Sequence, residues 1–395
     1  MGPSRLILPL WGAAWQPLPV GCRDLAIVAA LLVGCGAEPE PASRVGHRAI
    51  YALDRALNDL SIARSEEGGT VIAWTEGEMG NGDPAWLELG SGEVHRAAFP
   101  PAVFGPAARV WSKLVSTPGG YARFVGQFTA NPMPLYQLAI LDDVSLESFT
   151  ALPRISLPSP TMLEAMALPG HVVVVALDSQ WQIVAHEVEP EDRALAVIGP
   201  LCDLDLRAAK LDDDAMLVLA FDCLDTPGTR LPFLFPVSVN PGPDSPVRIM
   251  GDPTSDDLLA MEVARSALGT LWLSEEGRLR LFVQEADAES LDLSDPVLEV
   301  EGAQSARLFA SEKAFVVTYR TLQGAALSPE TTAVTVVPSD REVSEPYEWP
   351  LGEDDCPITE SMPTATGLEY VCVGRCQGAG CAERWIYHGT VELSY

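Results

Sequence analysis

The five histidines of this 395-residue chain are its first candidates for proton transfer or metal binding, and they are scattered along it. None belongs to an HExxH helix, and the chain also lacks a GxSxG turn and a phosphate-binding loop. His171 and His186 fall in predicted strands of one repeat, where we expect a structural or surface role. The sequence therefore predicts no catalytic residues. The five are His47, His95, His171, His186 and His388.

Acidic residues form four short clusters whose carboxylates could bind Ca²⁺ or act as acid and base. No cluster has the spaced D-x-[DN]-x-[DN]-G pattern of a calcium loop. Because Asp favours turns and caps, we expect these residues to form turns, and we predict no metal and no cofactor. The clusters are Asp203 with Asp205, Asp212–Asp214, Asp256–Asp257 and Glu353–Asp355.

Three tryptophans, Trp181, Trp272 and Trp385, could line a sugar or peptide site. At strand positions such rings more often fill the core between sheets. The net charge of -30 disfavours nucleic acid and anionic headgroups as partners. It is compatible with cations or basic partners, and solubility is the simplest interpretation.

Eight cysteines are present, and six of them lie well past the N-terminal region: Cys202, Cys223, Cys356, Cys372, Cys376 and Cys381. An even number in an exported domain predicts disulfides. Cys202 and Cys223 are symmetric about the Asp212–Asp214 turn, so we expect them to face each other across two strands. For the last four, two maps remain open: Cys356–Cys376 with Cys372–Cys381, or Cys376–Cys381 with Cys356–Cys372. A zinc site of Cys372, Cys376 and Cys381 is the functional alternative, although the spacing is not a paired C-x-x-C.

An uncharged apolar run, Leu25 to Gly34, follows Arg23 and ends at Cys35. The run is too short to cross a bilayer and has the length of the apolar region of a signal peptide. Its end, Leu32-Val33-Gly34-Cys35, resembles the lipobox of bacterial lipoproteins. The resemblance implies cleavage before Cys35, a diacylglyceryl group on its thiol, acyl chains such as palmitate, and outer-membrane rather than inner-membrane sorting. The alternative is an uncleaved N-terminal helix in which Cys35 has no lipid.

The sequence therefore divides into a signal peptide (1–34), a tether rich in Pro, Glu and Ala (35–46) and a single domain (47–395). The tether would hold the domain away from the membrane surface. Translation from Val20 would give a signal peptide of ordinary length.

The domain shows short β-branched and aromatic runs separated by turn residues, which is the pattern of an all-β fold. Seven units of about 42–53 residues repeat one set of strands, a length close to that of four-stranded propeller blades. Turn residues precede most of the strongly apolar second strands, for example Pro169-Gly170 and Ala267-Leu268-Gly269. The second strands are Thr70–Thr75, Tyr121–Phe128, His171–Asp178, Ala215–Asp222, Thr270–Ser274, Ala314–Tyr319 and Leu368–Val373.

These repeats predict a seven-bladed β-propeller. The last unit ends with a third strand in Arg384–Tyr395, and Arg48–Leu53 is the expected outer strand that closes the ring. The fourth unit fits least well, because Pro232 and Pro236 fall in its third strand, Leu231–Val239. Six or eight blades, or a pair of β-sandwiches, remain alternatives.

The expected function is that of a lipid-anchored, non-enzymatic module of the cell envelope that binds a protein or glycan. The alternative is a hydrolase or lyase of envelope or extracellular polymers, which needs two carboxylates, or a carboxylate with a histidine, in the central funnel. A structural spacer without a ligand is a third hypothesis.

Overall fold

The computed structural model describes eighteen segments of the chain, all of them within the compact unit Ser43–Tyr395. The segments are 46–54, 57–64, 69–76, 83–96, 110–117, 120–129, 135–141, 150–157, 163–177, 182–189, 193–199, 206–223, 229–240, 249–323, 326–327, 331–349, 358–375 and 384–393. Side chains are described for most of these segments but not for 110–157.

The strands of the described segments form seven sheets. Sheet 1 contains β2 (Leu57–Arg64), β3 (Thr70–Glu76), β4 (Asp83–Glu88) and β5 (Val94–Arg96). Sheet 2 contains β6 (Val110–Thr117), β7 (Gly120–Thr129), β8 (Leu135–Leu141) and β9 (Thr150–Leu157). Sheet 3 contains β10 (Leu163–Leu168), β11 (His171–Leu177), β12 (Ile183–Glu189) and β13 (Arg193–Ile198). Sheet 4 contains β14 (Leu206–Lys210), β15 (Ala215–Cys223), β16 (Arg230–Ser238) and β17 (Ile249–Met250).

The remaining three sheets continue this order along the chain. Sheet 5 contains β18 (Asp257–Ala264), β19 (Ala267–Leu273), β20 (Leu279–Glu285) and β21 (Leu298–Val300). Sheet 6 contains β22 (Ala303–Ala310), β23 (Phe315–Gln323), β24 (Ala326–Leu327), β25 (Thr332–Val337), β26 (Glu342–Val343) and β27 (Tyr347–Glu348). Sheet 7 contains β28 (Ile358–Thr364), β29 (Gly367–Arg375), β30 (Arg384–Glu392) and, at its outer edge, β1 (Gly46–Leu53).

The first strands of successive sheets contact one another in chain order, and β28 of sheet 7 returns to β2 of sheet 1. The described strands therefore surround a central channel. The predicted all-β propeller with four-stranded blades is confirmed at this level. The number of four-stranded blades differs from the prediction: the structure shows six and not seven, because the remaining sheet, sheet 6, has six strands.

The extra strands of sheet 6 come from a split outer edge. Two short strands, β26 and β27, pair with different ends of β25, while β24 pairs with the far end of β23. Short outer pieces of this kind leave little unpaired edge for another chain to join.

The N-terminal strand completes the ring as expected. β1 pairs antiparallel with β30, from Gly46 opposite Thr390 to Leu53 opposite Arg384, with a register shift between Ala49 and Tyr51. Residues from the two ends of the described chain thereby share one sheet, which removes the edge that β30 would otherwise expose.

Each predicted second strand is present, but one turn was predicted in the wrong place. Ala267, Leu268 and Gly269 lie inside β19, and the turn before them is formed by Arg265 and Ser266. Gly269 is needed in the strand because the ring of Phe315 packs against its Cα: an added Cβ would lie 2.9 Å from that ring. This glycine allows two sheets to approach closely and does not form a turn.

The prolines of β16 lie where a missing N–H costs little. The carbonyl of Pro232 accepts a hydrogen bond from the Gly251 amide on the side of the outer neighbour β17. The nitrogen of Pro232, which has no hydrogen to donate, faces the same side. β17 pairs with β16 only through Met250 and Ile249. Pro236 has the same parity as Pro232, so both prolines point their missing donors toward this short partner and leave the ladder with β15 intact.

A β-bulge recurs near the start of the first strand in sheets 1, 5 and 6. The register shifts by one residue after Leu57 in β2, after Leu258 in β18 and after Ala303 in β22. In each case the extra residue belongs to the first strand. Bulges increase the local twist of a strand, which suits strands that bend around a central channel.

The core lies between neighbouring sheets, because the sheets whose side chains are described are apolar on both faces. The interface of sheets 5 and 6 buries Leu271, Leu281 and Phe315, and that of sheets 4 and 5 buries Phe221 and Trp272. No helix in the described part of the chain is long and apolar enough to cross a membrane.

Candidate functional site

A cavity of about 700 Å³ opens at one end of the central channel. Its lining comes from the first strands of six sheets, β2, β10, β14, β18, β22 and β28, near the ends that lead into the first-to-second-strand turns. Ligand sites commonly have volumes of about 300–1,000 Å³. The cavity is therefore large enough for a small ligand or a chain end.

Most of the described lining is aliphatic. Ala63, Ala165, Ala208, Met166, Val263 and Met362 are among the residues that form the wall, and none of the described lining residues is aromatic. Small side chains fit this position because the first strands converge around the channel axis.

Five charged side chains interrupt this apolar wall: Arg64, Lys210, Arg265, Glu262 and Glu312. Three of these five are cationic, whereas acidic residues outnumber basic ones by 55 to 25 in the whole chain. Two of the three cations pair with carboxylates just outside the lining, Glu369 and Asp213, so the cavity has no excess of positive charge once these partners are counted.

Arg265 occupies a strained backbone position in the two-residue turn between β18 and β19. Its φ of 57° lies in the left-handed region that favours Gly, Asn or Asp. A non-glycine residue in that region costs about 1 kcal/mol or more. The side chain is exposed and, among the described residues, has no hydrogen bond or ion pair. The guanidinium therefore lies at the opening of the cavity without a partner among the described residues.

The other two cations already have carboxylate partners. Lys210 Nζ lies 3.2 Å from Asp213 Oδ1, and both side chains are exposed, so the pair is weak and can rearrange around a ligand. Arg64 pairs with Glu369, whose side chain is only 5% exposed. Arg64 therefore pairs with a buried carboxylate and Lys210 with an exposed one.

Glu369 connects the cavity wall to a buried polar cluster between sheets 7 and 1. Its Oε1 accepts hydrogen bonds from Thr70 Oγ1 at 3.3 Å and from His388 Nε2 at 2.8 Å. Burial, followed by the charges of Arg48 and Arg64, lowers the pKa of His388 to about 4. His388 is therefore neutral near pH 7, and its Nε2–H is the donor to the carboxylate.

A second buried carboxylate, Glu187, lies in sheet 3. His171 Nδ1 and Arg193 Nε both bond to it, and Arg193 Nη2 also donates to the Val239 carbonyl of sheet 4 at 2.6 Å. The Glu187 side chain has no exposure to solvent. This cluster links two sheets, in agreement with the structural role expected for His171.

The predicted acidic clusters form turns and links where they are described. Asp212 accepts a hydrogen bond from the Asp214 amide at 2.8 Å, which stabilises the turn. Asp256 pairs with Arg280, and Asp257 lies 3.1 Å from Arg230 Nη2. Asp203, Asp205 and Glu353–Asp355 lie outside the described residues.

The histidines and tryptophans do not converge on the cavity. His95 stacks on Trp86 with ring centroids 5.1 Å apart, and His186 is buried. Trp272 is fully buried and meets Phe221 edge-on, so it belongs to the core between sheets 4 and 5. Trp385 packs against the core of sheets 6 and 7. The side chains of His47 and Trp181 are outside the described set.

The cysteines are mostly outside the described residues, including Cys35. Cys223 lies at the end of β15, and Cys372 is buried in β29 opposite Thr359 and Tyr387. Among the described side chains, no group of three or more His, Cys, Asp or Glu could hold a metal ion. The disulfide maps and the zinc alternative remain predictions.

The charged residues of the cavity were not predicted as site residues. Lys210, Arg64 and Arg265 each lie at or just after the end of a first strand, before the turn to the second strand. Alignment of the repeats at that turn would have placed them at neighbouring positions, Arg64 and Lys210 at the strand end and Arg265 one residue later. The sequence alone did not show that these positions face the channel.

Comparisons with known proteins show likeness of fold only. No protein-family model and no curated protein matches the chain. The β-propeller domain of the Trilobed protease from Pyrococcus furiosus is 8% identical, with a TM-score of 0.45 over 86% of this chain and 94% of that one. The WD40 domain of SCAP from fission yeast is 7% identical, with a TM-score of 0.45 over 88% and 98%.

A prolyl endopeptidase is also similar, at 15% identity and a TM-score of 0.47 over 82% of this chain. The chain spans about half, 47%, of that enzyme. These identities support no transfer of activity or ligand. The ring of first strands and the four-stranded sheets identify the domain as an all-β propeller.

Proposed function

We propose that this protein is a lipid-anchored binding module of a bacterial cell envelope, and that its ligand enters the cavity at the end of the channel. The observation that carries the proposal is the 700 Å³ cavity with an aliphatic wall and a few charged groups. Binding sites typically combine a largely apolar concave surface with a small number of polar groups that set orientation. The partner is a protein or glycan of the envelope.

The proposed location at the membrane rests on the N-terminal region. The apolar run Leu25–Gly34 and the motif ending at Cys35 resemble a lipoprotein signal, and residues 35–46 would form the tether. A lipid with two or more acyl chains anchors a protein stably. The cysteines past position 200 would then form disulfides on the oxidising side of the membrane, and the ring would consist of seven blades with sheet 6 as an elaborated member.

Mass spectrometry of the mature N-terminus tests the anchor. We expect the chain to begin at Cys35 with an attached diacylglyceryl group, and Cys35→Ala to accumulate as an unlipidated precursor. A wild-type chain that retains residues 1–34 without lipid would contradict the anchor.

A blocked cavity tests the binding site. Ala208 lies on the wall, so Ala208→Trp would fill part of the cavity. We expect this variant to lose retention of the ligand from detergent-solubilised envelope while its thermal midpoint stays within a few degrees of the wild type. Val197→Trp, at an exposed position of β13, is the matched control. Equal retention by wild type and Ala208→Trp would contradict a site in the channel.

The polymer hydrolase or lyase remains a second candidate because Glu262 and Glu312, on neighbouring sheets 5 and 6, both line the cavity. Two carboxylates at a sugar linkage can act as acid and base. We expect Glu262→Gln and Glu312→Gln each to abolish any release of reducing ends from envelope polysaccharide. Wild-type protein that releases none would eliminate this candidate.

A further inference from the structure

We propose that the cavity faces the membrane and binds the acyl chain of a glycolipid whose head group has no net negative charge. This ligand would be the glycan partner of the proposed function, on which the inference rests. Three features carry it: the end of the propeller at which the described chain enters, the aliphatic interior of the cavity, and the balanced charges at its opening.

The described chain enters the ring at the end that bears the cavity. Gly46 is opposite Thr390 of β30, and Thr390 is in turn opposite Glu369 of β29. Glu369 is opposite Met362, which lines the cavity. These four residues form one row across sheet 7, so β1 begins at the level of the cavity and runs away from it.

The proposed anchor would therefore turn the cavity toward the bilayer. Residues 36–45 separate Cys35 from Gly46 and would span at most about 40 Å if fully extended. A flexible chain of this length has a mean span of about 20 Å. A lipid on Cys35 would hold this end of the ring near the surface, so a ligand that comes from the membrane would meet the cavity first.

The interior of the cavity suits an acyl chain. Its wall includes Ala63, Ala165, Ala208, Val263 and Met166, and none of the described lining residues is aromatic. Removal of a hydrocarbon chain from water into such a wall is favourable, and methionine adapts its shape to a flexible partner. The volume of about 700 Å³ lies within the usual range of ligand sites.

Most polar groups of the lining are already satisfied within the protein. Arg64 and Lys210 each pair with a carboxylate. Ser311 Oγ donates a hydrogen bond to the Ala314 carbonyl and accepts one from the Ala314 amide, both at 3.0 Å. Glu262 also has an interaction partner. An acyl chain in the interior therefore deprives none of these groups of its partner, and a polar ligand gains little by replacing it.

The charged lining residues that have no partner among the described residues balance each other. Arg265 and Glu312 are both exposed and lie just after the first strands of the neighbouring sheets 5 and 6. Arg265 offers donors and Glu312 offers acceptors, whereas a sugar hydroxyl is both donor and acceptor. An anionic head group would meet no excess of cations here, and the net charge of -30 would repel it. The opening therefore favours a head group rich in hydroxyls and without negative charge.

Photo-crosslinking in vesicles tests this inference. The full-length lipidated protein is reconstituted in phosphatidylcholine vesicles that contain a glucosyl diacylglycerol with a diazirine at the end of one acyl chain. We expect cross-links in the peptides that contain Met166, Val263 or Met362, and the loss of most of them in Ala208→Trp. A wild-type protein without cross-links to the cavity wall would overturn the proposal.

Other head groups on the same diazirine-bearing chain test the selectivity. Phosphatidylglycerol, phosphatidylethanolamine and an acylated peptide should each cross-link about fivefold less than the glucosyl lipid, because they lose hydrogen bonds at the opening or are repelled. Equal cross-linking by any one of these three lipids would overturn the glycolipid assignment.

Two variants at the opening test the contacts of the head group. Arg265→Ala and Glu312→Ala should each lower cross-linking of the glucosyl lipid about threefold. Arg341→Ala is the matched control for the first, since Arg341 has the same φ of 57° and lies outside the cavity lining. Glu275→Ala is the control for the second, because Glu275 is exposed in the turn between β19 and β20, at the opposite end of the ring. Wild-type cross-linking by both Arg265→Ala and Glu312→Ala would overturn the proposal.

Failure of this inference is distinguishable from failure of the proposed function. If Ala208→Trp loses the envelope ligand but the wild type forms no cross-links with any acyl probe, the cavity binds another kind of molecule and the glycolipid is wrong. If Ala208→Trp retains the envelope ligand and cross-links like the wild type, the cavity itself is not the site.

Discussion

His388 Nε2 lies 2.8 Å from Glu369 Oε1, and the same carboxylate pairs with Arg64 of the neighbouring sheet. His388 belongs to β30 and is opposite Arg48 of the closing strand β1. One buried carboxylate therefore joins the last sheet to the first sheet beside the cavity. The junction that closes the ring is polar as well as apolar.

Acid should weaken this junction through His388. Its pKa is lowered to about 4 by burial and by Arg48 and Arg64, whereas an unfolded histidine titrates near 6.5. Between these values the unfolded chain binds a proton that the folded chain does not, so stability falls as the pH drops from about 6.5 to 4. We expect this group to contribute a loss of about 1–2 kcal/mol after allowance for solvent screening.

Urea unfolding at pH 7 and pH 4.5 measures that contribution. His388→Gln keeps an N–H donor for Glu369 but cannot titrate in this range, so its loss of stability on acidification should be smaller by about 1–2 kcal/mol. Identical pH dependence of the two proteins would show that His388 does not titrate differently in the folded state.

Removal of Arg193 should destabilise the fold more than neutralisation of Glu187. Glu187 is not exposed to solvent in the intact protein, and Arg193→Ala leaves His171 as its side-chain partner among the described residues. We expect a loss of about 2–4 kcal/mol for Arg193→Ala and about 1–2 kcal/mol for Glu187→Gln. Arg341→Ala, which breaks an exposed pair, should change stability by at most about 0.5 kcal/mol. The reverse order for the first two variants would refute this account.

Gly269→Ala should loosen the contact between sheets 5 and 6. The new Cβ would lie 2.9 Å from the fully buried ring of Phe315, which cannot move away without disturbing its neighbours. We expect destabilisation of about 1–3 kcal/mol in chemical denaturation. Gly90→Ala is the control, because a Cβ there meets no atom within 4 Å, and it should be neutral or slightly stabilising.

Cys202 and Cys223 should form a disulfide, and the recurrent bulge explains how. β14 pairs with Leu206 opposite Ala220, a register that would continue to place position 203 opposite Cys223. A bulge at the start of β14, like those in β2, β18 and β22, would shift the pairing by one residue and bring Cys202 opposite Cys223. Directly opposed residues are within bridging distance.

Peptide mapping of non-reduced protein after thiol blocking checks this pairing. We expect a peptide that links Cys202 to Cys223, which disappears on reduction. Cys223 joined instead to Cys356, Cys372, Cys376 or Cys381 would contradict the bulge.

The repeat could be predicted from the sequence because it depends on local patterns. Runs such as His171–Leu177 and Ala215–Cys223 are continuous and apolar since both faces of each sheet are covered, and turn residues separate them. The outer strand of the last sheet was also predictable, because Arg48–Leu53 had strand character and no partner in its own repeat. The Gly269 turn was predicted wrongly because glycine has two uses, in a turn and at a close contact, and its neighbours do not distinguish them.

The candidate site depended on tertiary structure for a simple reason. Arg64, Lys210 and Arg265 are separated by tens of residues or more, and each by itself is an unremarkable polar residue at the end of a strand. Only closure of the ring brings these strand ends around one axis, where they surround the cavity. The sequence by itself determined an all-β repeat and a closing strand, because each is encoded within a short window, and from a similar window we predict an N-terminal lipid. The folded chain decided which side chains share the channel, because that depends on how many strands converge there and which end of each one faces its opening.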